Sequence, residues 1–293
     1  PMTEPARAFR ETIWSQARLC ADRALDRGTL RPLHTSVERV RDGGLDYVIR
    51  TLTARPDKPP AGAAKRDPFL PPYEPGMHVA DLGNTHAVLL NKYNVLDSHL
   101  LVVTRAFADQ TRLLEQCDFA AWLTVLAGTD ALGFVNGGIA AGASQPHRHM
   151  QAVPITQGDP VLPLGPVLDN AGDTPTNRLT WLAALPFEHV AVRLDPAWRE
   201  HPERAAETIS AHYLAMWSAL GLEPAGDEQP IPHNLLIARD WMWLVPRRRE
   251  SFDGISINGL GFAGALLVPD RSAGERLRAA GPGHALEAVA GIP

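Results

Sequence analysis

The run Gly142-Ala143-Ser144-Gln145-Pro146-His147-Arg148-His149-Met150-Gln151, continued by Ala152-Val153-Pro154, constrains this chain more than any other stretch. Side chains on a strand alternate faces, so a strand here turns His147, His149 and Gln151 to one side and Arg148 and Met150 to the other. Two imidazoles and an amide then line one wall. The small residues just before them let the backbone approach a ligand, with N–H groups available to cradle an anion. Taken alone, the pair of histidines is open to three readings: a phosphate-facing catalytic pair, a metal pair, or satisfied structural residues.

With 293 residues and 45% hydrophobic content, the chain can bury an ordinary core as one large domain or two interlocked ones. No apolar run approaches the ~20 residues of a membrane span, and the first residues lack a charged-then-apolar signal pattern. Cytoplasm is therefore the default expectation, with no membrane partner. The net charge of -5 and pI near 6.1 argue against a nucleic-acid surface, which would show a basic stripe. Cys20 and Cys117 are expected to be buried free thiols in helices. Two such distant residues build neither a disulfide framework nor a Cys-x-x-Cys zinc site.

Phe9, Ile13, Ala17, Ala21 and Ala24 recur at helical spacing, which predicts an amphipathic helix over 7–27 that Gly28 ends. Segments 35–40 and 45–52, separated by Asp42-Gly43-Gly44, read as a hairpin with Arg55 just beyond it. The proline-dense 56–75 reads as an exposed loop. Strands are expected over 78–82, 86–91 and 99–104. A helix over 118–129 carries Phe119, Trp122, Leu123 and Leu126 on one face. Adjacent antiparallel strands over 134–139 and 148–153 would bring Asn136 near the histidines. A proline- and glycine-rich span from 154 to about 175 suggests a boundary, giving a catalytic region 1–170 and a C-terminal region 171–293 interlocked with it. Beyond it come a strand over 188–194, a helix over 205–220, and strands over 233–239, 241–246 and 263–268. At least two of Arg247, Arg248 and Arg249 are expected to be solvated charges.

Asn136-Gly137-Gly138, Gly142-Ala143-Ser144-Gln145 and His147-x-His149-x-Gln151 together resemble the histidine-triad superfamily, in the branch that ends in Gln where others carry a third His. Within that branch of nucleotidyl transferases, the run is similar to that of the diadenosine tetraphosphate phosphorylases (ATP adenylyltransferases). Leu90-Asn91-Lys92-Tyr93, Ser98-His99-Leu100-Leu101, His233-Asn234-Leu235-Leu236, Leu244-Val245-Pro246-Arg247 and Asn258-Gly259-Leu260-Gly261 extend the likeness over most of the chain. The resemblance implies an α+β fold, a mostly antiparallel sheet with packed helices and a C-terminal region completing the nucleotide site. It implies that His149 is the nucleophile, that His147 orients it or the leaving group, and that Gln151 holds phosphoryl oxygens. Nucleotide or phosphate contacts fall, by the same resemblance, on Arg55 (less so Lys58), Asn91, Lys92, Asn136, Gly142, Ala143, Ser144 and Gln145. They fall also on Asn258, Gly259 and Leu260. Ala265 and Pro269 depart from it, standing where relatives usually carry Met and Lys.

The implied reaction is phosphorolysis of diadenosine tetraphosphate by phosphate to ATP and ADP, through an adenylyl-histidine intermediate. Neutral imidazole suits such a step, since its pKa lies near neutrality and its second nitrogen can be fixed by a hydrogen bond. Mg²⁺ is expected to accompany the polyphosphate, with no tightly bound metal. Other transferases of the branch, acting on nucleoside diphosphates or adenylyl sulfate, and a non-catalytic dinucleotide sensor are the alternatives. A metal-dependent cupin-type enzyme lacks a third ligand at suggestive spacing.

Overall fold

In the computed structural model, which describes residues 4–54, 66–155 and 161–293, α1 (Glu4–Asp26) leads into the hairpin of β1 (Thr35–Asp42) and β2 (Leu45–Leu52). Gly43 and Gly44 form its two-residue link with φ of 56° and 83°, a left-handed pair that glycine adopts without a Cβ penalty. The chain continues through β3 (His78–Leu82), β4 (His86–Leu90), β5 (Leu100–Thr104), α2 (Gln116–Leu126), β6 (Ala131–Gly137) and β7 (His149–Pro154). There follow α3 (Gly165–Asn170), β8 (Leu179–Thr180), β9 (Val190–Arg193), α4 (Pro202–Ala219), β10 (His233–Ala238) and β11 (Trp241–Pro246). The last elements are β12 (Ser251–Phe252), β13 (Ile255–Ser256), β14 (Ala265–Val268), α5 (Arg271–Ala280) and α6 (Pro282–Val289).

Nine strands form one antiparallel sheet in the order β3-β4-β5-β7-β6-β10-β11-β9-β8, so strands from both sides of the 154–175 span share it. From 161 onward that span is packed: Val161, Leu162, Leu164 and Leu168 are buried, and the Leu164 N–H donates to Ala263 O at 3.0 Å. A smaller sheet, β1-β2-β14, pairs β14 with β2 in parallel.

Alternation along the strands separates two cores. Met150 and Ala152 of β7, with Val102 and Leu235, face α1, α2 and α4 and pack on Ile13, Trp122 and Tyr213. Phe134, Leu236 and Trp243 face the other way, against Ile49 and Leu266 of the smaller sheet, Phe262 of the turn before β14 and Leu286 of α6. Removing the Trp122 side chain, which is fully buried, would cost about 3–5 kcal/mol. Between this second core and a small cluster of Phe69, Ala87, Leu89, Leu101 and Val103 lies a polar strip, and the expected site residues of β6 and β7 stand on it.

The expected helices and strands are present, with ends shifted by a few residues; the expected helix over 118–129 is α2, which starts at Gln116 because Glu115 and Asp118 cap it reciprocally. One stretch carried no expectation, and one expectation needs correction. Helices α5 and α6 occupy a tail that carried no assignment, Asp270 capping α5 through the Ala273 N–H at 2.9 Å. The thiols are free, but Cys117 is exposed and Cys20 only half-buried, because Cys117 sits in the first turn of α2 on its outer side. Among the described residues no helix is long and apolar enough to cross a membrane.

Candidate active site

β7 begins at His149 because the residues just before it pair elsewhere. The Gln110 N–H donates to Pro146 O and the Arg148 N–H to Ala108 O, both at 2.7 Å, and Asp109 bridges to His147. His147, His149 and Gln151 are all buried. His149 Nδ1 lies 2.8 Å from the carbonyl oxygen of His147. A carbonyl only accepts, so Nδ1 carries the proton and Nε2 presents its lone pair. Among the described residues Nε2 has no hydrogen-bond partner. Burial pushes the His149 pKa down to about 4; His147 adds to this electrostatically while the bond to its carbonyl opposes it. His149 is thus a neutral imidazole at neutral pH, with Nε2 unengaged among the described residues.

The ring of His147 is fully engaged. Its Nδ1 lies 2.7 Å from Asp67 Oδ2, and its Nε2 lies 2.8 Å from Thr104 O and 2.9 Å from Thr104 Oγ1. Its link to His149 therefore runs through the main chain. Gln151 Oε1 accepts from His99 Nε2–H at 2.8 Å, which leaves the Gln151 amide nitrogen as the end able to donate elsewhere. Burial lowers the His99 pKa to about 4, partly opposed by the Gln151 bond, so the ring is neutral too. Phe69 covers both histidines, its ring 5.1 Å from that of His149 and 5.8 Å from that of His147.

The glycine-rich run forms a tight turn, with φ of 101° at Gly138 and 88° at Gly142. The turn corrects one expectation: the amides of Gly142 and Ala143 do not point to a ligand. They donate to Ile139 O (2.9 Å) and Gly138 O (3.1 Å), because residues 139–141 close into a single 3₁₀ turn. The amides of Ser144 and Gln145 have no partner among the described residues.

Asn136 Oδ1 accepts from the Gly259 N–H and from Asn234 Nδ2, each at 2.9 Å, so its amide group is the part left to donate. Asn258 caps the turn over 259–263, its Oδ1 accepting from the Leu260 N–H at 3.1 Å. A Cβ on Gly142 would meet Asn258 Cβ at 2.8 Å, and one on Gly259 would meet Phe134 at 2.9 Å. The two runs expected to bind nucleotide are packed directly against each other. Beside them opens a cleft of about 260 Å³ lined by Leu52, Ser256, Asn258, Ala265, Leu266 and Pro269.

Sequence reasoning missed the residues behind this surface. Arg247 is fully buried and donates to Asn234 Oδ1 (2.7 Å), Ile257 O (2.8 Å), Arg249 O (2.9 Å) and Glu250 O (3.0 Å). Burial lowers its pKa to about 10. Arg248 and Arg249 are exposed, as expected of two of the three. A chain of buried donors and acceptors thus runs from Arg247 through Asn234 and Asn136 to Gly259. Its one sequence signal is an arginine closing the apolar run Trp241-Met242-Trp243-Leu244-Val245-Pro246.

Asn91 lies against His99, its Nδ2 3.3 Å from His99 Nδ1, and both line a second cleft of about 390 Å³ with Arg18, Asp22 and Asn94. Lys92 Nζ is paired with both oxygens of Glu74, at 2.7 and 2.8 Å. Arg55 and Lys58 lie outside the described residues. Among the described residues no group of three or more His, Cys, Asp or Glu is placed to hold a metal ion.

Residues 4–170 match the family model described as the Ap4A phosphorylase N-terminal domain, where Ap4A is diadenosine tetraphosphate, and residues 183–292 match the ATP adenylyltransferase C-terminal domain. Two Saccharomyces cerevisiae proteins are similar in sequence. Diadenosine 5',5'''-P1,P4-tetraphosphate phosphorylase 2 is 27% identical over 282 residues, covering 85% of each chain. Protein APA1 is 25% identical over 272 residues, covering 84% of this chain and 83% of that one. The crystal structure of yeast Ap4A phosphorylase Apa2 shares the fold, with a TM-score of 0.78 at 23% identity over 95% of this chain and 94% of that one. The same yeast protein in complex with Ap4A gives a TM-score of 0.75 at 24% identity over 94% and 96% of the two chains. The N-terminal model alone spans more than half of the sequence, and the chain belongs to the Ap4A phosphorylase and ATP adenylyltransferase family of nucleotidyltransferases.

Proposed function

We propose that this protein cleaves Ap4A by phosphorolysis to ATP and ADP, through an adenylyl adduct on His149, with the cytoplasm as its compartment. The observation that carries the reading is the neutral His149 ring, its proton fixed on Nδ1 by the His147 carbonyl and its Nε2 unengaged. In the first step the Nε2 lone pair forms a bond to an α-phosphorus while the bond to the bridging oxygen breaks, and ATP departs with that oxygen. In the second a phosphate oxygen forms the new bond to phosphorus, the N–P bond breaks, and ADP leaves with His149 neutral again. Gln151, its oxygen held by His99, would donate its amide N–H to a non-bridging oxygen in both steps, with the Ser144 and Gln145 amides. Asn258, Gly259 and Leu260 would border the nucleoside, and Lys92 would exchange Glu74 for phosphate. Mg²⁺ would enter with the polyphosphate and screen its charge.

The choice of acceptor follows from the same contacts. Water needs a base, and the His147 nitrogens are occupied by Asp67 and Thr104 while the Gln151 amide has no proton to exchange at neutral pH. Phosphate dianion is already a charged nucleophile and needs positioning only. The experiment is incubation with Ap4A with and without phosphate, for the wild type and His149→Ala. ATP plus ADP, dependent on phosphate and absent in the variant, is the expected outcome. AMP in place of ADP, unchanged by millimolar phosphate, would show a hydrolase; turnover by His149→Ala within about tenfold of wild type, only ~1.4 kcal/mol of barrier, would remove the adduct.

A further inference from the structure

β6 and β7 pair directly from Ala131↔Pro154 as far as Phe134↔Gln151. By register, the next hydrogen-bonded pair of this ladder is Asn136 opposite His149, with the His149 N–H on Asn136 O. That bond is not made. The side chain of Gln110 stands in the gap: its Oε1 accepts from the His149 N–H at 2.7 Å, and its Nε2 donates to His149 O at 3.1 Å and to Asn136 O at 2.8 Å. Gln110 is itself 4% exposed, and its own N–H is tied to Pro146 O at 2.7 Å. On the other flank His149 is still paired with Val103 of β5.

We propose that Gln110 is a positioning residue for the His149 nucleophile: an amide wedge that replaces a strand, holding both main-chain polar groups of His149 while spreading β6 from β7 just where the Gly138–Gln145 turn departs. The chemistry selects this residue type. A side-chain amide offers one acceptor and two donors in a plane, which matches the one N–H and two carbonyls it meets. Glutamate of the same shape would keep the acceptor but set a carboxylate against two carbonyl oxygens. Methionine of similar length would satisfy none of the three. Because Gln110 holds His149 by both main-chain groups and meets Asn136, an expected nucleotide contact, only at its carbonyl oxygen, its loss should displace the nucleophile with little effect on ground-state binding. A misplacement of about 1 Å is worth roughly 10²-fold in rate.

The inference rests on His149 being the nucleophile, so the test includes His149→Ala. Gln110→Glu and Gln110→Met are assayed for Ap4A phosphorolysis with phosphate, and amide exchange at His149 is followed by hydrogen exchange. Expected are a fall in kcat of about 100-fold, a KM for Ap4A within about threefold of wild type, and a His149 amide that is protected in the wild type and exposed in both variants. A kcat within about threefold of wild type in folded variants, or a rise in KM carrying the whole loss, overturns the proposal while an inactive His149→Ala leaves the nucleophile standing. Turnover by His149→Ala overturns the nucleophile instead. Should neither Gln110 variant fold, a His149 amide that exchanges freely in the wild type still refutes the wedge.

Discussion

Lowering the pH should unfold this protein well before its carboxylates titrate. Burial pushes His99 and His149 down to about 4 and His233 to about 3, from 6.5 in an unfolded chain. Below pH 6.5 the unfolded chain takes up protons on these rings that the folded chain refuses. Their contribution is therefore whole above pH 6.5 and is lost as pH falls toward 4 and 3. At pH 5 each ring lies about 1.5 pH units below its unfolded midpoint, or ~2 kcal/mol, and the three together remove roughly 6 kcal/mol. That is a large share of a typical total of about 5–15 kcal/mol. His189 and His212 are shifted the same way and add to it. Asp81 and Asp109 are held below 3.8, chiefly by hydrogen bonds from His78 and Thr111, so their contribution is still present at pH 5. The assay is urea unfolding followed by tryptophan fluorescence at pH 7, 6 and 5, for the wild type and His233→Gln. His233→Gln removes one titrating ring from a site away from His149 and should reduce the loss between pH 7 and 5 by about 2 kcal/mol. A wild-type loss under ~1 kcal/mol, or an unchanged slope in the variant, refutes the argument.

Arg247→Met leaves the acceptors on Asn234, Ile257, Arg249 and Glu250 without their donor, and should cost at least about 3 kcal/mol in chemical denaturation; a loss under ~1 kcal/mol contradicts the network. Gly142→Ala forces a side chain onto φ of 88° and against Asn258 Cβ at 2.8 Å. It should retain the fold at a cost of ~1–2 kcal/mol while binding ATP at least about tenfold more weakly by calorimetry, and unchanged affinity would separate the glycine turn from the nucleotide site.

The strands were legible because the alternation along 148–153 and the apolar runs 235–238 and 241–246 are local patterns, and the helix over 7–27 because its apolar spacing is too; the mostly antiparallel sheet was implied by the family resemblance. The tail 271–289 was not, since α5 is rich in arginine and its few apolar anchors, Ala273 and Leu277, do not make a visible stripe. At the site, the motif gave His147, His149 and Gln151, but motifs do not show what holds them. Gln110, Thr104 and Asp67 reach the histidines across 39–80 positions of sequence, through contacts that only the folded sheet creates. The glycine run misled for a related reason: its composition promised free amides, while its tightness consumed two of them in its own turn.

The departure at Pro269 acquires a physical meaning in the cleft it borders. Leu52, Ile257, Ala265, Leu266, Leu267 and Pro269 give that cleft apolar walls, and among the described residues none of its lining side chains is charged. Such apolar walls suit a nucleoside better than a polyphosphate. Affinity here should then depend little on salt and differ little between adenosine and AMP. Pro269 is exposed and precedes the Asp270 cap of α5, so a longer side chain can project there without entering the core. Pro269→Lys would restore the cation that relatives usually place at this position. One added charge at solvent-exposed contact distance is worth about 1 kcal/mol, or roughly fivefold in affinity. Calorimetry should therefore show ATP tightening about fivefold relative to adenosine at low salt and the gain fading as salt is raised. An equal gain for adenosine, or one that salt does not reduce, would mean that the cleft takes its ligand in another orientation.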